Sequence, residues 1–140
     1  MSFATHRLPA EDDVIAPDGS EVRLLAGLGG GGLAHFRLDR EAVSVAVRHR
    51  SVEEIWFVIS GRGQMWRRSG EDEEIVELGP GVALTIPVAT HFQFRAFGPE
   101  PLDVIGATMP PWPGDGEAIR SQGPWRATVA PGPGLAEPDG

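Results

Sequence analysis

Cysteine is absent from the 140-residue sequence. Disulfide staples, thiolate zinc sites and cysteine nucleophiles are thereby excluded, and His, Asp and Glu are left as the strong metal ligands. No stretch approaches the roughly 18 to 20 consecutive apolar residues that a membrane helix needs. Residues 1–10 also lack the apolar segment of a secretory signal, so the expected address is the cytoplasm, away from membranes. Positive charge is in short supply: 12 Lys and Arg face 20 Asp and Glu, for a formal net charge of −8. That balance argues against nucleic acid as a partner, because such contacts depend on cations neutralising phosphates. Internal repeats and helical hydrophobic periods are missing as well.

What the chain has in excess is turn-forming residues, 19 Gly and 13 Pro, which favour many reversals over long helices. The length suits one domain with one core. Residues 1–20 read as a polar N-terminal arm with no core role. Residues 22–26 and 33–38 are strand candidates around a glycine-rich turn. That turn is not a phosphate loop, since neither a Lys-Ser/Thr pair nor an amphipathic helix follows it. Residues 42–49 alternate, with Val43, Val45, Val47 and His49 in one phase, which means strand. Residues 54–60 are apolar in both phases and predict a strand covered on both faces. Further runs at 62–67, 75–78, 82–86, 91–97 and 102–109 complete an all-β series, broken by an acidic turn at 69–74 and by Gly79-Pro80-Gly81. Eight or more short strands at this spacing point to a sandwich or barrel spanning residues 21–110. Residues 111–140 form a Pro/Gly-rich tail whose Trp112 and Trp125 could strap across the barrel, with residues 131–140 expected to be disordered.

The stretch from His49 through Glu54 to Gly61 resembles the first motif of the cupin superfamily, H-x-H, three or four residues, E, six residues, G. Gly81, followed after five residues by Pro87, echoes the second. The chain is thus similar to small single-domain cupins, and the resemblance implies a double-stranded β-helix, or jelly-roll barrel, with a small-molecule site in its mouth. In metal-binding cupins the ligands are both first-motif histidines, the glutamate and a second-motif histidine. Here Val47 stands at the first histidine and, counted without a gap, Phe92 stands at the last, with His91 one residue away.

Because strand side chains alternate faces, that one-residue offset leaves two registers open. In one, Phe92, Phe94 and Ala96 point into the barrel; this buries two phenylalanines and leaves Arg95 in water. In the other, His91 and Gln93 point inward. The second would assemble His49, Glu54 and His91 around one divalent ion (iron, manganese, nickel or zinc), suited to oxygenase, isomerase or lyase chemistry. The first leaves two ligands, normally too few, and suits a metal-free barrel that binds a small ligand. In either case His49 and Glu54 are the candidate catalytic residues, as a hydrogen-bonded acid/base pair. Val47, Trp56, Gln64, Trp66, Phe92 and Gln93 are candidate pocket residues. Glu53 and His35 are expected on solvent-facing phases. Exposed strand edges need covering, and the resemblance implies a homodimer paired through them.

Overall fold

A computed structural model describes residues 2–139 as eleven strands with no helix among the described residues. Met1 and Gly140, the outer ends of the expected arm and tail, lie outside the described residues. The strands are β1 (Val14–Ile15), β2 (Glu21–Leu28), β3 (Gly31–Leu38), β4 (Val47–His49), β5 (Glu53–Ser60), β6 (Arg62–Ser69), β7 (Asp72–Leu78), β8 (Ala83–Ile86), β9 (His91–Phe97), β10 (Leu102–Met109) and β11 (Ala118–Arg120). They form two antiparallel sheets, one ordered β1-β2-β3-β10-β5-β8 and the other β11-β4-β9-β6-β7. This is the cupin jelly roll that the motifs imply.

Between the sheets lies one main core. Trp56 and Val58 from β5 meet Met65 from β6, Phe92, Phe94 and Ala96 from β9, and Leu102 and Val104 from β10. Trp56 stands edge-on to Phe94 and Phe92, with ring centroids 5.0 and 6.1 Å apart. Such pairs add to the roughly 1.5–3 kcal/mol that each buried large side chain contributes. Gly61, the motif glycine, reverses the chain between β5 and β6 at φ 85°, where a Cβ would run into the Pro101 carbonyl. Only glycine fits both demands.

Four expectations change. β5 is not covered on both faces: Glu54, Trp56 and Val58 are buried, while Ile55, Phe57 and Ile59 are nearly half exposed on the outer side. The run 42–49 is a strand only from Val47; before it the backbone of Val43 bridges Arg95 and Ser44 N–H donates to the Phe94 carbonyl. The acidic turn is short, because Asp72–Glu74 already pair with β6 as the start of β7. Finally, residues 131–139 are placed against the barrel. Ala136 exchanges backbone hydrogen bonds with Ala118 and Arg120 at 2.9 and 2.8 Å and bridges Ile119 in parallel. Those are backbone contacts, which leave no hydrophobic pattern to read.

Candidate functional site

β4 pairs with β9 through Val47 opposite Phe92, so these residues share the inner face. The ungapped register is the one adopted: Phe92, Phe94 and Ala96 are buried in the core, with Val47 and His49 beside them. Above this layer opens a cavity of about 530 Å³, within the usual range for small-ligand sites. Val47, His49, Glu54, Trp56 and Phe92 all line it.

The polar centre of the cavity is a pair of buried side chains. Glu54 accepts a 2.7 Å hydrogen bond from the Trp56 indole N–H on Oε1, while its Oε2 lies 3.1 Å from His49 Nδ1. The second approach is close but off the line of N–H donation, and Nδ1 has no other partner. The His49 ring is held edge-on between Phe92 and Trp112, with centroid separations of 5.2 and 4.9 Å. With Nδ1 turned to the carboxylate, Nε2 is the nitrogen left for a ligand.

The loop joining these two residues is clamped from the tail. Glu117 accepts hydrogen bonds from Ser51 N–H (2.8 Å), Ser51 O–H (2.7 Å) and Val52 N–H (3.0 Å). Burial alone would push its carboxyl upward, but those three donors together outweigh it and hold the pKa below the ordinary value. The loop is thereby fixed, and with it the spacing of His49 and Glu54.

A carboxylate not expected from the sequence also reaches the cavity. Asp18 sits in a tight turn closed by Gly19 N–H donating to the Ala16 carbonyl at 2.8 Å, and Gly19 at φ 91° packs against Val129. Asp18 Oδ1 accepts from Ser20 N–H (2.9 Å) and Ser20 O–H (2.7 Å). Burial raises its pKa, Ser20 opposes the rise and Glu54 adds to it. The arm therefore has a core role after all: Ala16, Asp18 and Ser20 are buried, and β1 pairs with β2. Its only signal in the sequence was the Pro17-Asp18-Gly19-Ser20 turn chemistry. Thr108, opposite Glu54 on β10, together with Trp112 and Asp115, completes the polar and aromatic lining that sequence reasoning missed.

The remaining expected site residues lie elsewhere. Gln64, Trp66 and Arg68 pair with Arg95, Gln93 and His91, so all share the outer face of the second sheet, away from the cavity. Gln64 bridges Glu77 and Arg95; the Trp66 indole N–H donates to Glu73. Gln93 binds the Ser44 carbonyl and both backbone groups of Trp125, whose ring stacks 4.1 Å from the Arg95 guanidinium. Trp125 thus straps the outer sheet while Trp112 closes on His49. His91 Nδ1 lies 2.5 Å from Ser121 Oγ; its pKa is lowered by burial, then by Arg68 and Arg48. The His49, Glu54 and His91 triad is therefore not assembled. The donor set at the cavity does not fit a divalent ion, since Val47 and Phe92 present hydrocarbon where further ligands would stand. His35 is also corrected: it is buried, not exposed, with Nε2 3.0 Å from Asp103 Oδ1, because the paired strand β2 and Arg23, tied to the Pro9 and Ala10 carbonyls, cover it.

No protein-family profile matches the sequence, and no curated protein matches it. Solved structures do. A variant of Streptomyces PAC13 with uridine is 12% identical and superposes with a TM-score of 0.65 over 85% of this chain and 92% of that one. The same protein is described as a nucleoside dehydratase. KdgF from Halomonas sp. is 23% identical, with a TM-score of 0.59 over 75% of this chain and 86% of that one. Oxalate decarboxylase from Bacillus subtilis is 18% identical, with a TM-score of 0.63 over 72% of this chain but only 28% of that one. At these identities the likeness establishes the fold, which all three share, and that fold is the cupin barrel.

Proposed function

We propose that this cupin-fold barrel is a small-molecule enzyme working by proton transfer, without a metal, in the cavity at its mouth. One observation carries the reading: the imidazole of His49 faces an apolar cavity of about 530 Å³ with the buried Glu54 carboxylate behind it. That arrangement fixes the ring and stabilises the imidazolium formed when Nε2 takes a proton. In an elimination, Nε2 removes the proton from the carbon next to the one bearing a hydroxyl. The C–H electron pair becomes the double bond, and hydroxide leaves with that proton as water. In an isomerisation, the proton returns to a different carbon. The dehydratase among the structural neighbours supports this class without fixing the substrate. The protein works in the cytoplasm as a homodimer.

The test is deuterium exchange from solvent into small hydroxy compounds and nucleosides, followed by mass spectrometry. Wild-type protein exchanges at least one of them, and His49→Gln slows that exchange by about 10²–10⁴-fold. Elemental analysis of the purified protein finds substoichiometric iron, manganese, nickel and zinc. Stoichiometric metal that disappears in His49→Ala, or exchange indifferent to His49, would overturn the proposal. The apolar lining by Val47 and Phe92 favours a second reading, a non-catalytic binding barrel. Its signature is ligand binding without exchange.

A further inference from the structure

Taking the barrel mouth as a small-molecule site, on which this inference rests, we propose that its ligand is a cation: an amine whose ammonium group sits against Asp18 and whose apolar body lies along the cavity wall that Trp56, Phe92 and Trp112 help to form. Apart from His49, whose ring is set against Glu54, the ionisable side chains lining the cavity are acids, namely Asp18, Glu54 and Asp115. Arginine does not line it, and the chain contains no lysine. Several arginines are held elsewhere, Arg23 by the Pro9 and Ala10 carbonyls, Arg37 by Asp103, Arg95 by Gln64 and Arg120 by Glu137. An anionic ligand would meet three carboxylates, with His49 the one lining group able to oppose their charge and that ring already set against Glu54, in a poorly solvated space where like charges repel most strongly.

The three acids are not equivalent. Glu54 Oε1 accepts from the Trp56 indole, and its Oε2 faces His49 Nδ1 at 3.1 Å, so each oxygen already has a near neighbour. Asp115 is exposed at the rim. Asp18 is 8% exposed and uses only Oδ1, for Ser20, so Oδ2 has no protein partner although the side chain borders the cavity. Asp18 Oδ2 is open to the cavity rather than sealed off, and an ammonium placed there satisfies both the hydrogen bond and the charge. The raised pKa of Asp18, caused first by burial and augmented by Glu54, is the electrostatic tension that a bound cation would relieve. Asp115 at the rim then draws the cation in, and Asp18 holds it.

Isothermal titration with three probes of one shape and different charge tests this: phenylpropylamine, phenylpropanol and phenylpropanoate. The amine binds wild-type protein at least about tenfold more tightly than the carboxylate. Asp18→Asn lowers the affinity for the amine about tenfold while leaving that for the alcohol within about twofold. Asp115→Asn, on the exposed rim, gives a smaller loss for the amine. The wild-type charge comparison needs no variant and stands even where Asp18→Asn perturbs the fold. A carboxylate that binds as well as the amine, or an amine-to-alcohol ratio unmoved by Asp18→Asn, overturns the cation assignment while leaving the small-molecule site in place. If none of the three binds, both fall.

Discussion

Keeping Asp18 buried near a second carboxylate opposes folding, because the charged form is poorly solvated there. Its pKa in the fold lies above the ordinary 3.8. A raised acid contributes stability that is fully present below the unfolded pKa and is lost as pH rises through the folded one. At neutral pH the ionised group is therefore a net cost. Asp18→Asn, which keeps an acceptor for Ser20, is expected to raise the melting temperature by about 2–4 °C at neutral pH. The gain should shrink toward about pH 4, and scanning calorimetry across pH measures it. A loss of stability at neutral pH would mean the carboxylate is better satisfied than its contacts indicate. His35 pulls in the opposite direction. Burial lowers its pKa below 6.5, against the opposing pull of Asp103, with Arg23 and Arg37 adding to the lowering. The unfolded chain then takes the proton first, so stability is complete above 6.5 and declines as pH falls from there toward the folded value. His35→Gln should flatten that part of the curve; an unchanged slope would place the acid sensitivity elsewhere. Neither residue was assigned correctly from sequence. Asp18 reaches the cavity by a turn, where no alternation exists to read. His35 obeys its strand phase, yet the outer side of that phase is covered by the arm and Arg23.

Between elements, the decisive contact is the one from the tail to the loop joining β4 and β5. The strand phases that place Val47, His49, Glu54 and Trp56 were legible, because period-two alternation fixes which side faces the core. The register of β9 was legible only as two alternatives, and the one adopted buries two phenylalanines in place of His91 and Arg95. The tail was not legible: Ala118, Ile119, Val129 and Leu135 pack inward without a period to read, and Glu117, Ala136 and Gly132 engage backbone groups, which impose no pattern on the sequence. Gln64, Trp66 and Gln93 were misplaced for a related reason. They are inward-looking by composition, but cross-strand pairing puts them on one outer face. Glu117→Ala removes the acceptor of three donors, two of them backbone N–H groups. The expected loss is about 1–3 kcal/mol in urea unfolding at neutral pH. Glu117→Gln, which retains one carbonyl acceptor, should lose less. The depressed pKa of Glu117 means its contribution is intact above 4.5 and disappears as pH falls through the folded value, so the wild-type advantage over Glu117→Ala should narrow in acid. An advantage that persists unchanged there would show that the carboxylate charge is not what holds the loop.

At the scale of the whole molecule, the question is what covers the outer side of the first sheet. Of the sheet edges, β7 is ill suited to pairing with another copy, because it carries Asp72, Glu73, Glu74 and Glu77, and charged edges resist pairing. The apolar surface lies instead on the face of β5, where Ile55, Phe57 and Ile59 are 49, 49 and 46% exposed, with Leu33 of β3 also exposed nearby. Cross-strand register places Ile105 between His35 and Phe57, and Ala107 between Leu33 and Ile55, so the patch continues over β10. Three neighbouring strands about 4.8 Å apart and about 26 Å long give a footprint of about 370 Å². Two copies therefore cover about 750 Å², below the roughly 1,000 Å² of a specific stable interface, so the expected pairing is a weak one. A second copy of the same face is the natural occupant, since a twofold axis makes one apolar patch complementary to itself. With a net charge of −8 per chain, association elsewhere on the surface would be repulsive. Light scattering after size exclusion is expected to give twice the 15.0 kDa chain mass for the wild type and the single-chain mass for Phe57→Glu. Because Phe57 points away from the cavity, the variant should keep its affinity for small ligands. A wild type that stays monomeric at high concentration would leave the sheet face as exposed surface, and a Phe57→Glu dimer would move the interface to some other part of the barrel.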